Sequence, residues 1–248
     1  MISDDQVIID PHTAETVSDR PTSVFLPVTA PRIHSPLNDL PSRGFELIDF
    51  AEQIIPGGFM PWQKWLAEHS LKLKPDGRYF HPVTVATVAR QNGKSTYMMA
   101  RIMMGLFHWD ESLQVSTAHR LVTSLEQFRA IVQIIEENAD LANQVKRIRW
   151  QHGAEEIQTL KGNRFIIKAG GSAARGLSKP ETIHMDELRE LHDMETFAAM
   201  RYTLMAAKNP QVNCFSSAGD SHSIVLNQLR ERGLAAASGA SDDVGYFE

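Results

Sequence analysis

The chain has 248 residues, a formal net charge of −5 at pH 7, and 42% hydrophobic against 22% charged residues, a balance typical of a soluble globular protein. Its single cysteine, Cys214, excludes a disulfide framework and favours a reducing compartment. The sequence has no apolar run near the roughly 18 residues of a membrane span, and its N-terminus is acidic where a signal peptide would be basic. We therefore expect an intracellular protein without a membrane partner.

The N-terminal segment, residues 1–44, contains six prolines and has no sustained hydrophobic period. This composition predicts an extended arm that is ordered only where it packs on the rest of the protein. From Phe45 the pattern becomes helical. One helix is predicted over 45–55, ended by Pro56, and a second begins at Pro61.

Short apolar runs then alternate with longer amphipathic ones, which is the pattern of an α/β fold. The alternation predicts a mostly parallel sheet with helices on both faces. The short polar sequence Lys161-Gly162-Asn163 predicts one antiparallel hairpin within it. Strands are predicted over 82–88, 113–117, 156–160, 164–169, 182–186 and 211–216, and helices over 94–108, 119–138, 187–207 and 221–232.

The domain boundaries are predicted from changes in composition. The α/β pattern occupies residues 45–235, which are expected to form one domain. Residues 236–248 are small and polar, so they are predicted to be a linker toward a further domain.

The residues Val88 to Ser95 match the phosphate-loop pattern G-x-x-x-x-G-K-[ST] except at the first position, where valine replaces glycine. A strand pattern precedes this loop and a long apolar helix follows it, a context that a chance Gly-Lys-Ser at a helix start would lack. In such loops the backbone N–H groups cradle phosphates, the lysine reaches the β and γ phosphates, and the hydroxyl holds magnesium. Lys94 and Ser95 supply the last two groups, and Arg90 is placed to stabilise charge on the γ-phosphate in the transition state. The predicted nucleotide-binding residues of the loop are Arg90, Gln91, Asn92, Gly93, Lys94, Ser95 and Thr96.

A second motif, Glu181 to Glu187, is an apolar strand that ends in two adjacent carboxylates. Asp186 is predicted to hold hydrated Mg²⁺, and Glu187 to polarise the attacking water. The alternative is a helix N-cap, because acidic residues are favoured there. The pair follows the phosphate loop by about 90 residues with a sheet pattern between them. Together, the two motifs favour an ATPase.

At these residues the sequence resembles the ATPase domain of the large terminase subunit of tailed phages, the motor that packages DNA into capsids. The resemblance covers residues 45–235 and implies a P-loop NTPase of the RecA-like (ASCE) type that uses ATP and Mg²⁺. It is carried by four stretches of sequence: ARQNGKS, PWQKW, GGSAARGLSKPETIHMDE and CFSSAGD.

Several residue roles are implied by this resemblance. Gln63 in PWQKW is implied to read the adenine base, Arg90 to act within its own subunit, and Arg175 to reach the nucleotide of a neighbouring subunit. Ser216 and Ser217 are implied to sense the γ-phosphate. The residues alone leave a structural alternative open for each of these roles. Gln63 is equally suited to cap a helix, and Arg175 to pair with a surface acid. The two serines are also typical of an ordinary strand-to-helix turn. The implied catalytic residues are Glu187, Arg90 and Arg175, and the implied metal ligands are Ser95 and Asp186.

The resemblance also implies partners and a location. The partners are double-stranded DNA, the portal protein, the small terminase subunit and further copies of the chain, in a ring expected to be a pentamer on the capsid and a monomer for the isolated domain. The location is the host cytoplasm and, transiently, the portal vertex of the procapsid, but not the mature virion. A nuclease domain does not fit after residue 235. The chain is therefore expected to be either the ATPase portion of a longer protein, which the linker-like ending favours, or a protein that lacks cleavage, and cleavage is expected only of a longer protein.

Six cations fall within residues 146–168, against the two acids Glu155 and Glu156, and they form either a candidate surface for DNA phosphates or a solvated face of the hairpin. A superfamily 2 helicase-like ATPase and a non-hydrolysing module that binds DNA or the portal are the alternative functions. The six cations are Lys146, Arg147, Arg149, Lys161, Arg164 and Lys168.

Overall fold

The structure is a computed structural model that describes residues 29–118, 121–151, 153–169, 179–240 and 243–248. Its helices are α1 (Gly44–Ile54), α2 (Pro61–Ser70), α3 (Lys94–Phe107), α4 (Leu121–Glu137), α5 (Ala139–Ala142), α6 (Met194–Thr203) and α7 (Ile224–Ala237). Its strands are β1 (Val83–Thr87), β2 (Leu113–Ala118), β3 (Val145–Arg149), β4 (Glu156–Thr159), β5 (Arg164–Ala169), β6 (Thr182–Asp186), β7 (Gln211–Ser216) and β8 (Val244–Phe247).

Within the described residues the strands form one eight-stranded sheet in the order β3-β4-β5-β2-β6-β7-β1-β8. Strands β5, β2, β6, β7, β1 and β8 are parallel to one another. Strands β3 and β4 extend the sheet in antiparallel fashion. The predicted mostly parallel sheet and the predicted β4–β5 hairpin are therefore confirmed. Because β6, β7 and β1 are adjacent and parallel, their carboxyl ends meet at one edge, where α/β sheets bind ligands.

The sheet separates two hydrophobic cores, because consecutive side chains of a strand point to opposite faces of a sheet. In β7, Phe215 packs in the core that α1 to α4 share. Val212 and Cys214 pack in the other core, with Phe197 of α6 and Leu229 of α7. Helices cover both faces, as predicted. In the part of the chain that the structure describes, each helix is too short or too polar to cross a membrane.

The helix predicted over 187–207 is wrong in its first part. Leu188–Glu190 form a single turn of 3-10 helix, and α6 begins only at Met194. The carboxylate of Asp193 caps α6 by accepting the N–H groups of Glu195 and Thr196 at 2.9 Å each. This cap starts a new helix, and so separates it from the acidic pair that ends β6.

The linker predicted over 236–248 is also wrong. Helix α7 continues to Ala237, and Val244–Phe247 form β8, a fully buried strand that pairs in parallel with β1. Two glycines make this packing possible, because a Cβ atom at Gly233 would lie 2.2 Å from the ring of Tyr246, and one at Gly245 would lie 2.7 Å from His81. The domain therefore extends beyond residue 235 to include this strand.

The described part of the N-terminal arm packs on β8. Ile33 exchanges backbone hydrogen bonds with Glu248, at 3.1 and 2.8 Å, and the N–H of Ser35 donates to the carbonyl of Tyr246 at 2.9 Å. The Ser35 hydroxyl donates to the carbonyl of Val244 and accepts the N–H of Tyr246. The arm thereby covers the edge of the sheet that β8 would otherwise expose.

A buried ion pair fixes α3 on the sheet. Arg101 of α3 is 1% exposed and donates to the carboxylate of Glu111 at 2.7 and 3.2 Å. Its guanidinium also donates to the hydroxyl of Tyr79 and to Oε1 of Gln211, and lies 4.6 Å from the ring centroid of Trp109. Because both charges are buried, the arrangement depends on each partner being present.

Removing one partner of this pair is expected to destabilise the fold strongly. Glu111→Ala leaves the guanidinium of Arg101 buried without its counter-charge, which typically costs about 3–5 kcal/mol. The control Lys161→Ala removes an ion pair with Asp110 whose side chains are 58% and 55% exposed, and it should cost less than about 1 kcal/mol. Unfolding free energies from urea titration measure both losses. Equal losses of unfolding free energy in the two variants would contradict the conclusion that burial makes the Arg101–Glu111 pair important for stability.

Candidate active site

The loop between β1 and α3 explains how valine replaces the usual first glycine. Left-handed backbone occurs in this loop at Gln91 (φ 60°) and Gly93 (φ 80°), but not at Val88. Val88 instead continues the sheet, because its N–H donates to the carbonyl of Ser216 at 2.9 Å. A β-branched residue is suited to that role, whereas the left-handed turn that needs a glycine is at Gly93.

Lys94 is the first residue of α3 and lies across the loop. Its ammonium group donates to the carbonyls of Val88 and Ala89 at 3.1 Å each. Burial lowers the pKa of Lys94 below its ordinary value of 10.5, and the carboxylate of Asp186 opposes that shift. The side chains of Arg90 and Ser95 are exposed, and that of Thr96 is half-buried. The loop therefore presents its cations and hydroxyls at the carboxyl edge of the sheet.

The acidic pair lies at the adjacent strand end. Burial raises the pKa of Asp186, and the nearby charge of Glu187 adds to the rise, while a hydrogen bond from the backbone N–H of Glu187 at 2.8 Å opposes it. Glu187 has a left-handed backbone (φ 53°), and its side chain makes no capping hydrogen bond to the 3-10 turn that follows. The carboxylate of Glu187 therefore does not cap the helical turn, which was the alternative role for this acidic residue. A strained, non-capping carboxylate beside a phosphate loop is the kind of group that a reaction uses.

Ser216, at the end of β7, joins the two motifs. It is fully buried, and its carbonyl accepts the Val88 N–H while its hydroxyl accepts the N–H of Arg189 at 3.1 Å. The hydroxyl donates in turn to the carbonyl of Ser217 at 2.7 Å. A single residue thus connects the start of the phosphate loop with the turn after the acidic pair.

Gln63 contacts the loop directly. Its side chain is buried, its Nε2 donates to the carbonyl of Gly93 at 2.7 Å, and its Oε1 accepts the N–H of Met60 at 2.6 Å. Both polar groups of the amide are therefore engaged within the protein. The arrangement holds the left-handed Gly93 against the start of α2, and the implied contact with adenine stays a prediction.

Removing this amide is expected to loosen the loop. Gln63→Leu keeps the size of the side chain but leaves the N–H of Met60 and the carbonyl of Gly93 without that partner, which typically costs about 1–3 kcal/mol. Hydrogen exchange at the Tyr97 N–H, which bonds to the same Gly93 carbonyl, should accelerate. The control Gln133→Leu changes an exposed glutamine on α4 and should alter the unfolding free energy by no more than about 0.5 kcal/mol. Unchanged exchange at Tyr97 in Gln63→Leu would contradict the positioning role.

Arg189 is a site residue that the sequence patterns did not single out. Its charge is close enough to Lys94 to contribute to lowering the pKa of that ammonium. Its guanidinium pairs with Glu190 at 3.2 Å, while its Nε is buried without a hydrogen-bond partner among the described residues. The sequence signal that could have identified Arg189 is its position three residues after Asp186. In the structure this position lies on the turn that Ser216 binds.

The oxygen ligands for a magnesium ion are few. Ser95 offers a hydroxyl and Asp186 a carboxylate, both hard oxygen donors of the kind that Mg²⁺ prefers. Within the described residues, no group of three or more His, Cys, Asp or Glu side chains could form a protein-only cage. The donor set therefore fits an ion that also takes ligands from phosphate and water. Arg175 lies outside the described residues.

Neither a protein-family model nor a curated protein matches the sequence. Solved structures do match the fold. The HK97 bacteriophage large terminase matches with a TM-score of 0.65 and 20% identity, over 80% of this chain and 42% of that one. A variant of the ATPase domain of the Thermus phage P74-26 large terminase matches with a TM-score of 0.58 and 14% identity, over 82% and 83% of the two chains. The chain thus spans less than half of the HK97 protein, and it has the fold of terminase ATPase domains, as the sequence predicted.

Proposed function

We propose that this chain is the ATPase motor domain of a phage large terminase, which hydrolyses ATP to drive double-stranded DNA into a procapsid. The proposal rests mainly on one observation: Ser216, at the end of β7, forms hydrogen bonds both to the residue that follows β1 and to the turn that follows β6. It holds the phosphate loop, with Lys94, against the turn that bears Asp186 and Glu187. The shared fold supports this assignment over other P-loop ATPases.

The phosphate loop binds the triphosphate. The N–H groups at the start of the 14-residue helix α3 and the ammonium of Lys94 attract the β and γ phosphates. Lys94 exchanges its bonds to the Val88 and Ala89 carbonyls for phosphate oxygens. Ser95 and Asp186 hold magnesium, which when bound neutralises charge on the phosphates. Arg90, exposed in the loop, stabilises the charge that develops on the γ-phosphate.

The carboxylate of Glu187 orients the attacking water and accepts its proton. Ser216 contacts both the phosphate loop and the turn after the acidic pair. If either of them moves when the γ-phosphate is lost, the movement is therefore transmitted to β7 through Ser216. Ser217 takes part through the carbonyl that the Ser216 hydroxyl binds. In this proposal β7 carries the signal of hydrolysis toward the DNA-moving parts of the protein.

Arg175 is proposed to act on the nucleotide of a neighbouring subunit in a ring. An arginine supplied in trans contributes on the order of 10³–10⁵ in rate in known phosphoryl-transfer systems. It also ties hydrolysis to subunit alignment. An isolated domain is then expected to hydrolyse ATP slowly, and the ring, expected to be a pentamer, forms with the portal protein and the small terminase subunit.

DNA is proposed to contact the antiparallel extension of the sheet. β3, which the sequence patterns did not reveal, brings Arg147 and Arg149 beside Arg164 of β5, and all three form ion pairs with the buried Glu156. One carboxylate balances only one of three cations, so the surface keeps positive charge. Such a surface binds phosphates with steep salt dependence and little sequence preference.

The experiment that tests this function is ATP turnover by the purified chain, with and without linear double-stranded DNA, followed by assay in the longer protein with procapsids. We expect slow magnesium-dependent turnover that DNA and portal assembly raise. ATP binding without turnover in the assembled motor would indicate a non-hydrolysing module instead. Turnover coupled to strand separation would indicate a helicase.

A further inference from the structure

An apolar cavity of about 670 Å³ adjoins the phosphate loop. Trp62 and Trp65 of α2 and Phe247 of β8 line it, together with Val88, Ala89 and Asn92 of the loop. Its size and its mixture of aromatic walls with a few polar groups are those of a small-molecule site. Because Val88, Ala89 and Asn92 form one of its walls, this cavity is within reach of the base and ribose of a nucleotide whose phosphates lie on the loop.

The N-terminal arm forms another wall of the same cavity. Ala30, Pro31 and Arg32 line it, and the guanidinium of Arg32 forms an ion pair with Glu248, which also lines it. The backbone bonds of Ile33 to Glu248 hold this stretch in place. The arm, which composition predicts to be ordered where it packs on the rest of the protein, is therefore part of the cavity beside the loop.

A second cavity, of about 630 Å³, lies on the other side of this ion pair. Arg32 and Glu248 line both cavities, and so do residues 87–89, so the ion pair is one part of the partition between them. The second cavity lacks the two tryptophans and is lined by polar and charged groups that include Asp220 and Arg230. A flat apolar base fits the first cavity better, because it would bury aromatic surface there rather than leave charges unpaired.

We infer that residues 30–32 of the arm are a specificity-determining wall of the nucleotide site, closing the cavity around the base and ribose of ATP. This inference rests on the proposed function, since it assumes that the loop binds a nucleotide. It assigns the arm a direct part in ligand binding. The triphosphate itself lies on the loop and does not need the arm.

Glu248, which Arg32 of the wall contacts, is itself held firmly in place. That carboxylate also accepts two hydrogen bonds from Arg230, at 2.6 and 3.1 Å, and one from the Tyr246 hydroxyl at 2.6 Å. The bond from Arg230 is the main reason that the pKa of Glu248 is about 2, so the carboxylate stays ionised at neutral pH. Arg32, by contrast, has a side chain that is 75% exposed, and its ion pair alone contributes little. The contribution of the arm to binding therefore comes mainly from the surface that residues 30–32 present.

Two deletions separate the wall from the rest of the arm. Deleting residues 1–28 keeps the wall, whereas deleting residues 1–32 removes it but keeps Ile33 and Ser35 on β8. Affinities for ATP and for inorganic tripolyphosphate, which lacks a base, are measured by calorimetry for both deletions and the full chain. We expect the shorter deletion to match the full chain, and the longer one to bind ATP roughly tenfold more weakly with unchanged affinity for tripolyphosphate.

Arg32→Glu in the full chain provides a second measurement, in case the longer deletion does not fold. It places two carboxylates together at the partition and should weaken ATP binding but not tripolyphosphate binding. Arg129→Glu, a change at an exposed ion pair on α4, is its control. Equal ATP affinity in both deletions, or in Arg32→Glu and its control, overturns the inference alone. A full chain that binds neither ATP nor tripolyphosphate overturns the proposed function as well.

Discussion

Replacing Glu187 by glutamine is expected to reduce ATP turnover by about 10²–10⁴-fold while leaving ATP binding intact. The amide keeps the shape of the side chain but cannot accept the proton of the attacking water. The left-handed backbone at Glu187 suits glutamine as well as glutamate, so the change adds no strain there. The binding groups on the phosphate loop are untouched. Turnover is measured with magnesium and saturating ATP, and binding by the thermal shift that ATP causes.

Glu195→Gln is the matched control for this variant. Glu195 is an exposed carboxylate in the first turn of α6, beyond the 3-10 turn, and its replacement should leave turnover unchanged. Near-normal hydrolysis by Glu187→Gln would move the catalytic role elsewhere, most directly to Asp186, whose burial already raises its pKa. Loss of ATP binding together with turnover would show that Glu187 supports the structure of the site.

Lys94→Ala is expected to abolish the stabilisation that ATP gives the chain. A ligand that binds only the native state adds about 2.7 kcal/mol at one hundred times its Kd, or about 5–10 °C in Tm for a domain of this size. The ammonium of Lys94 is the loop cation that its bonds to the Val88 and Ala89 carbonyls hold in place. Without it the phosphates lose their main counter-charge. The measurement is Tm with increasing ATP and magnesium.

The control here is Lys146→Ala, which removes an exposed lysine on β3 far from the loop in sequence. Its ATP-dependent shift in Tm should equal that of the unchanged chain. The melting temperature of Lys94→Ala without ATP shows whether the variant folds. A full ATP-dependent shift in a folded Lys94→Ala would mean that the nucleotide binds elsewhere, and that the loop is not the site.

The sequence was sufficient to locate those parts of the candidate site that depend on local patterns. The phosphate loop is a continuous stretch, and the acidic pair ends an apolar strand, so each could be located from its own residues. The α/β alternation then placed both at one edge of the sheet, because parallel strands have their carboxyl ends together. The structure bears out the mostly parallel sheet and the fold that the resemblance implied.

The parts that the sequence did not reveal depend on distant partners. β8 is only four residues long and follows a small, polar stretch, so its pairing with β1 left no periodic signal. The bond from the Gln63 amide to the Gly93 carbonyl is a contact set by how α2 packs, and the sequence patterns did not reveal it. Arg189 enters the site only through the 3-10 turn that interrupts the predicted helix. Each of these features is fixed by tertiary packing rather than by local propensity.

The position of β1 in the sheet has a consequence for how the chain folds during synthesis. Among the strands that the structure describes, β1 pairs with β7 and β8, and the side-chain bond from Thr84 to Asn213 spans 129 residues. Strand pairs this distant in sequence form late, because a long loop must close before they gain contacts. On the ribosome, the strand that leads into the phosphate loop stays without its neighbours until β7 and β8 have emerged. Helices α1 to α4 are made before these two strands, so the phosphate loop gains its neighbouring strands later than it gains its neighbouring helices.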